Sequence, residues 1–230
     1  VVLLLLKSPA GPAERRDLPP VMPALRASRG PVALLVTLMA LRACICMVLS
    51  SFVPTLMGTA GRGSHPVETG AWLVGATMFC GAMMMPVIGH WADRRGGGTV
   101  LTATSLVLLP ALAVFLLGPD LPLWAQGFAL IVAGTMGICT NAAHVTIGHA
   151  LLPRHKAFVS SLVMGLAWAI AGIGPMVVGR MGGVLDGGLD ASMSMLLVPA
   201  VLLVLLTRRL ARHPEVAAAR GASATDAPVI

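Results

Sequence analysis

Apolar residues run along this chain in long blocks, broken by short stretches where glycine, proline and charge collect. Six such blocks follow one another, at about 31–57, 71–92, 99–117, 123–145, 157–179 and 191–208. Each approaches or exceeds the length of about 20 apolar residues that an α-helix needs to cross the hydrocarbon of a bilayer. The period-two alternation that marks a membrane β-strand is missing, and the chain has no Tyr. The pattern therefore predicts an all-α integral membrane protein, a bundle of six transmembrane helices over residues 31–208. Residues 7–30, KSPAGPAERRDLPPVMPALRASRG, are rich in proline and charge and read as a linker. Ahead of them VVLLLL, residues 1–6, is too short to span and reads as the end of a preceding transmembrane helix, so the chain is expected to be part of a longer protein. Residues 209–230 read as a small, polar, disordered tail.

Composition narrows the class. Of the 230 residues 57% are hydrophobic and 11% charged, with a mean hydropathy of +0.88. A soluble domain carries about 25% charged residues, so this chain lacks the polar surface to cover itself in water. Its formal charge of +7 raises the question of a nucleic-acid partner. The cations sit in the links between apolar blocks, however, so the expected partner is the lipid bilayer and not a nucleic acid. Cys44, Cys46, Cys80 and Cys139 all lie inside apolar blocks and form no C-x-x-C pair, which argues for packing and against zinc or disulfides. The methionine run Met83-Met84-Met85 reads the same way, with no metal expected. No H-E-x-x-H, G-x-S-x-G or phosphate-cradling loop is present, so neither an enzyme nor a bound cofactor is expected.

The basic residues give an orientation. Thirteen of the 16 Lys and Arg fall in the linker, at Arg94 and Arg95, at Arg154 and Lys156, or in the segment from Arg208 onward. The opposite side holds Arg62 and Arg180 among Glu68, Asp120, Asp186 and Asp190. By the positive-inside rule the linker, the turn at Asp93 and the tail are cytoplasmic, in a multi-pass protein of the cell's inner membrane.

Polar groups within the apolar blocks are candidate functional residues, because an ionisable group in hydrocarbon costs about 3 kcal/mol or more. Arg42 lies in the first block, with Cys46 and Ser50 following at i+4 and i+8 as one polar stripe. In the fourth block Gly127, Gly134, Gly137, Asn141, His144 and Gly148 fall on one helical face. Glycines there admit a neighbouring backbone, and a histidine near its ordinary pKa can carry protons. In the fifth block Gly165, Gly172 and Gly179 recur every seven residues, with Gly174 and Pro175 between them, a pattern suited to tight helix packing loosened at the proline.

The most compact charged stretch is GHWADRRGGG, residues 89–98, between the second and third blocks. A connection of about six residues makes those helices antiparallel neighbours. Gly96, Gly97 and Gly98 can adopt positive φ, and Asp93 can cap the helix that follows. Arg94 and Arg95 can pair with Asp93 or with a neighbouring helix end. Gly89, Asp93, Arg94 and Gly96 together resemble the signature loop of the major facilitator superfamily, with Gly97-Gly98 standing where a basic pair is usual and Trp91 where a small aliphatic is common. The stretches LRACICMVLSSFVPTLM (41–57) and HALLPRHKAFVSSLVMGLAWAIAGIGPMVVGRMGGVLDGGLDAS (149–192) are similar to the fosmidomycin-resistance branch of that superfamily.

The resemblance implies that residues 31–208 are one half of a major facilitator fold, helices seven to twelve. It implies a companion six-helix half, a small-molecule substrate, and drug or metabolite efflux driven by the proton gradient. Uptake of a small organic anion, or a degenerate half that transports nothing, are the alternatives. In the superfamily the first helix of each half lines the central cavity, so Arg42, Cys46, Ser50, Asn141 and His144 are the expected cavity residues. Asp93 and Arg94, with Gly89 and Gly96, are the expected cytoplasmic gate. Arg42 keeps two readings: a contact for substrate or protons, or a structural cation bonded to helix carbonyls or to an acid in the other half.

Overall fold

The computed structural model describes residues 21–58, 62 and 65–212. The stretch read as a preceding helix, the linker up to residue 20 and the tail beyond residue 212 lie outside the described residues. After a short helix, Val21–Ala27, come six helices long and apolar enough to cross a membrane. They are α1 (Arg29–Met57), α2 (Val67–Arg95), α3 (Gly97–Leu117), α4 (Leu123–Leu151), α5 (Lys156–Gly182) and α6 (Gly188–Ala211). No strand occurs among the described residues. The all-α, six-helix expectation is therefore met.

Every helix outruns the apolar block that predicted it. A helix of 29 residues, as in α1 and α2, is about 43 Å long against a hydrocarbon core of about 30 Å. Its polar ends, such as Arg29 or Arg94-Arg95, therefore extend into the headgroup layers. Arg208 and Arg209, assigned to the tail boundary by hydropathy, are the last turn of α6.

Helix α1 is the hub. It packs against α2, α4, α5 and α6, while α3 lies against α4 and α6. Leu35, Leu38, Met39, Val48, Val53 and Leu56 are fully buried along it. Lipid tails are as apolar as leucine, so helices in a bilayer associate through close packing more than through water exclusion. The α4 glycines show how. A Cβ on Gly134 would overlap the Thr77 methyl of α2, and one on Gly137 would stand 2.6 Å from the Cys46 sulfur of α1. A Cβ on Gly148 would stand 2.5 Å from Val159 of α5. The predicted stripe thus faces inward, meeting a different neighbour at each level.

The fifth-helix glycines divide differently from the prediction. Gly174 abuts Cys44 and Val48 of α1, and a Cβ added at Gly179 would stand 3.3 Å from Phe52. Gly165 has nothing within 4 Å of an added Cβ, and Gly172 meets only carbonyls of its own turn. Among the described residues those two meet no neighbouring helix, because they face outward.

The 89–98 turn is tighter than predicted. Helix α2 runs through Asp93 to Arg95 and α3 starts at Gly97, leaving Gly96 alone as the connection, with φ 84° and ψ 135°. Only Gly96 of the three glycines has positive φ. Gly97 is needed for a different reason: a Cβ there would lie 2.6 Å from Ile147 of α4. Gly98 lies close to Ala211 of α6. Asp93 does not cap α3. The cap position is Gly96, without a side-chain bond, because α2 stays helical through Asp93 and holds its carboxylate a turn away.

Three helices are interrupted at membrane depth. Helix α5 contains a π-helical turn, Ser161–Leu166, and a break at Gly172, while α6 breaks at Met195–Leu196. The break in α5 precedes Pro175 and that in α6 precedes Pro199, whose missing donors and ring bulk disfavour a continuous helix. Helix α4 breaks at Cys139–Thr140 with no proline nearby. Its cause lies in side chains that reach the backbone there.

Gly96 yields the first prediction. Gly96→Ala should lower the thermal midpoint of the purified protein in detergent by an amount equivalent to about 1–3 kcal/mol, the cost of forcing a Cβ into that backbone region. Gly30→Ala, where an added Cβ meets nothing within 4 Å, should leave the midpoint unchanged.

Candidate functional site

The middle of the bundle holds a buried cation. Arg42 lies on α1 with 1% of its surface exposed. One terminal nitrogen donates to the Met136 carbonyl of α4 at 3.2 Å, and the other donates to Ser105 Oγ of α3 at 3.0 Å. Ser105 in turn donates to the Leu101 carbonyl at 2.6 Å. Arg42 Nε has no partner, and no carboxylate lies within ion-pair distance of Arg42 among the described residues. Burying an unpaired charge costs several kcal/mol, so the carbonyl and hydroxyl dipoles must carry the compensation.

Those contacts fall on the break in α4. Thr140 Oγ1 lies 3.4 Å from the Met136 and Gly137 carbonyls, giving the Met136 oxygen a second side-chain donor. On the far side of the break, His144 Nδ1 lies 2.9 Å from the Thr140 carbonyl, so Nδ1 is the nitrogen that donates. His144 is fully buried and its Nε2 has no partner. Cys46 and Cys139 flank the same layer, close enough to interact electrostatically with Arg42, as does His144.

The structure thus gathers Arg42, Cys46 and His144 of the predicted set into one layer. Ser50 lies two turns along α1 and donates to the Met47 carbonyl. With Cys46 and Thr77 it lines a void of about 10 Å³ between α1, α2 and α4, about the room one water occupies. Asn141 is half-buried just beyond the α4 break. Arg42 lines neither this void nor the larger cavity, a groove of about 480 Å³ between α1, α5 and α6. That groove is walled by apolar side chains, and its Thr37 hydroxyl is occupied by the Ala33 carbonyl.

At the end of the bundle carrying Arg94, the predicted gate residues sit on the α2–α3 turn. Asp93 and Arg94 are exposed and make no hydrogen bond or ion pair among the described residues. Arg95 lies 5.6 Å over the Trp91 ring. Gly89 faces α4, with Ala142 at 3.9 Å from an added Cβ. On the neighbouring helices His149 Nε2 lies 2.8 Å from Ser160 Oγ, tying α4 to α5.

Sequence reasoning missed the strongest polar cluster, at the opposite end. Arg62, from the α1–α2 connection, is 1% exposed. Its Nε donates to Asp190 Oδ1 at 2.7 Å, and one terminal nitrogen donates to the Phe115 carbonyl at 2.8 Å and Gln126 Oε1 at 3.3 Å. The other donates to the Leu116 carbonyl at 3.1 Å. The guanidinium also lies 4.9 Å over the Phe115 ring. Gln126 Nε2 passes the network on to the Pro119 and Leu121 carbonyls. One side chain so closes the carbonyl end of α3 and joins it to the starts of α4 and α6. Gln126, an amide near the start of an apolar block, was the signal available for finding this cluster.

Residues 1–175 match the model of the Major Facilitator Superfamily, and the chain belongs to that superfamily. Its members are secondary transporters that carry small molecules through a membrane, and the six spanning helices agree with that. A comparison with curated proteins gives no match.

The two arginines predict different losses. Arg62→Gln should destabilise the protein by about 3 kcal/mol, because it strips the α3 carbonyls and Asp190 of their donor together. Asp190→Asn should cost about 1 kcal/mol, since Asp190 is 35% exposed and keeps water as a partner. Unfolding in detergent followed by circular dichroism would rank them, and an equal loss would contradict the assignment.

Proposed function

We propose that this chain forms one six-helix half, helices seven to twelve, of a proton-coupled exporter similar to the fosmidomycin-resistance group. Two such bundles rock about a site near the middle of the bilayer, exchanging a small organic molecule for protons. The supporting observation is how unevenly the helices are covered. Only 17% of the apolar window of α2 and 22% of that of α5 is buried, against 61% for α1 and 56% for α4. Both uncovered helices turn small residues outward, Gly75 on α2 and Gly165 with Gly172 on α5. Surfaces of that kind let another helix approach closely, which favours a second bundle as their neighbour.

In this reading the basic end is cytoplasmic. Asp93 and Arg94, exposed at the α2–α3 turn, close that side by pairing across to the companion half. The Gly97-Gly98 pair, unusual for the superfamily, follows from packing on Ile147 and Ala211. That explanation favours an intact transporter over a degenerate half. His144 carries the proton: its Nε2 is buried with no partner among the described residues, as is that of His155, but His155 sits at the start of α5 whereas His144 stands in the layer of Arg42 within the bundle. Asn141, Cys46 and Ser50 supply polar contacts on the substrate side.

The test uses the complete gene expressed in cells lacking their own efflux pumps. Inverted vesicles are given a pH gradient, and proton release is followed as candidate drugs are added. Wild type should release protons on addition of a transported compound. Asp93→Asn should slow this by about tenfold or more, and His144→Ala should abolish the proton signal while leaving drug binding in place. Substrate-driven transport with no proton movement would replace antiport by uniport.

A further inference from the structure

The geometry points to Arg42 as a positioning residue that clamps an articulation in α4, rather than as a group that touches substrate. In a regular helix a carbonyl accepts the N–H four residues ahead. At Met136 the oxygen receives side-chain donors, Arg42 and Thr140 Oγ1, and the helix breaks at the next residues. Irregular backbone at membrane depth persists only where protein groups partner it. Here the partners are Arg42 and Thr140 on one side of the break and His144 on the other. The second terminal nitrogen of Arg42 is anchored on Ser105, so one guanidinium on α1 ties the α4 break to α3.

The segment beyond the break is built to move as a piece. Asn141–Leu151 is joined to the start of α5 by the His149–Ser160 hydrogen bond and by the Gly148–Val159 contact. That start leads into the π-helical turn Ser161–Leu166, a second weakened stretch. Residues 141–160 therefore lie between two interruptions and carry His144 with them. The contrast with Arg62 sets where the bundle yields. Arg62 has a carboxylate and three further acceptors, whereas Arg42 has two neutral acceptors and an unpartnered Nε. The Arg42 clamp is the easier to open, and opening it swings His144 relative to α1. This role in transport rests on the function proposed above, but the articulation itself is measurable without transport.

Cys139, fully buried at the break, is the reporter. In the complete protein with Cys44, Cys46 and Cys80 replaced by Ala and no other added cysteine, Cys139 should react slowly with a small membrane-permeant maleimide. Arg42→Gln should speed that reaction by roughly tenfold or more, the factor supplied by a charge-assisted hydrogen bond. Arg42→Lys should fall between, since one ammonium spans α3 and α4 less well than a fork. Ser105→Ala keeps the charge and removes the α3 anchor. It should also speed labelling, and it stands in if Arg42→Gln fails to fold. Arg62→Gln is the control for general loosening and should leave Cys139 slow. Unchanged labelling in Arg42→Gln and Ser105→Ala, or equal labelling in Arg42→Gln and Arg62→Gln, would overturn the clamp. Faster labelling of the clamp variants, alongside wild-type vesicles with all native cysteines that show no substrate-driven flux, would keep the clamp and reject the transport reading.

Discussion

A buried guanidinium has no water to turn to, and the partners found for Arg42 and Arg62 constrain everything packed around them. Arg62 meets a carboxylate, an amide and two helix-end carbonyls, so the end of the bundle where α1 and α2 connect is tied together by one residue. Arg42 meets one carbonyl and one hydroxyl, and the carbonyl belongs to a helix that breaks at that level. The same side-chain type serves a saturated joint in one place and an under-partnered one in the other. Charge alone does not separate them; the supply of acceptors does.

Around those joints the packing follows the logic of a lipid solvent. Small residues sit where helices cross, at Gly134, Gly137, Gly148 and Gly174, so that backbones approach and dispersion contacts replace the missing hydrophobic drive. The breaks at Gly172 in α5 and at Met195–Leu196 in α6 sit just ahead of prolines, whereas the one in α4 coincides with polar side chains. A transporter of this superfamily has to change shape without exposing backbone to hydrocarbon. Breaks already partnered by side chains give it places to bend at modest cost.

The candidate site was only partly legible beforehand. Arg42, Cys46 and His144 stand out because polar side chains in apolar blocks are expensive, and they do share one layer of the bundle. Ser105 and Gln126 obey the same rule but are uncharged and easily passed over among so many apolar neighbours. Arg62 sits in a connection, where a cation reads as solvated. Its burial arises because the ends of α3, α4 and α6 converge there, which no local pattern encodes.

Hydropathy by itself determined that six helices cross the membrane, because the length of an apolar run is a local property set against a fixed bilayer thickness. The spacing of glycines in α4 likewise determined which face turns inward, since helical periodicity is local too. Tertiary structure alone decided the rest. It made Gly96 a one-residue turn and left Asp93 uncapping, because α2 continues past the acid. It turned Gly165 and Gly172 outward while Gly174 met Cys44, and it chose which carbonyl would receive Arg42. Those outcomes depend on which helices become neighbours, and neighbours are set by packing the whole bundle at once.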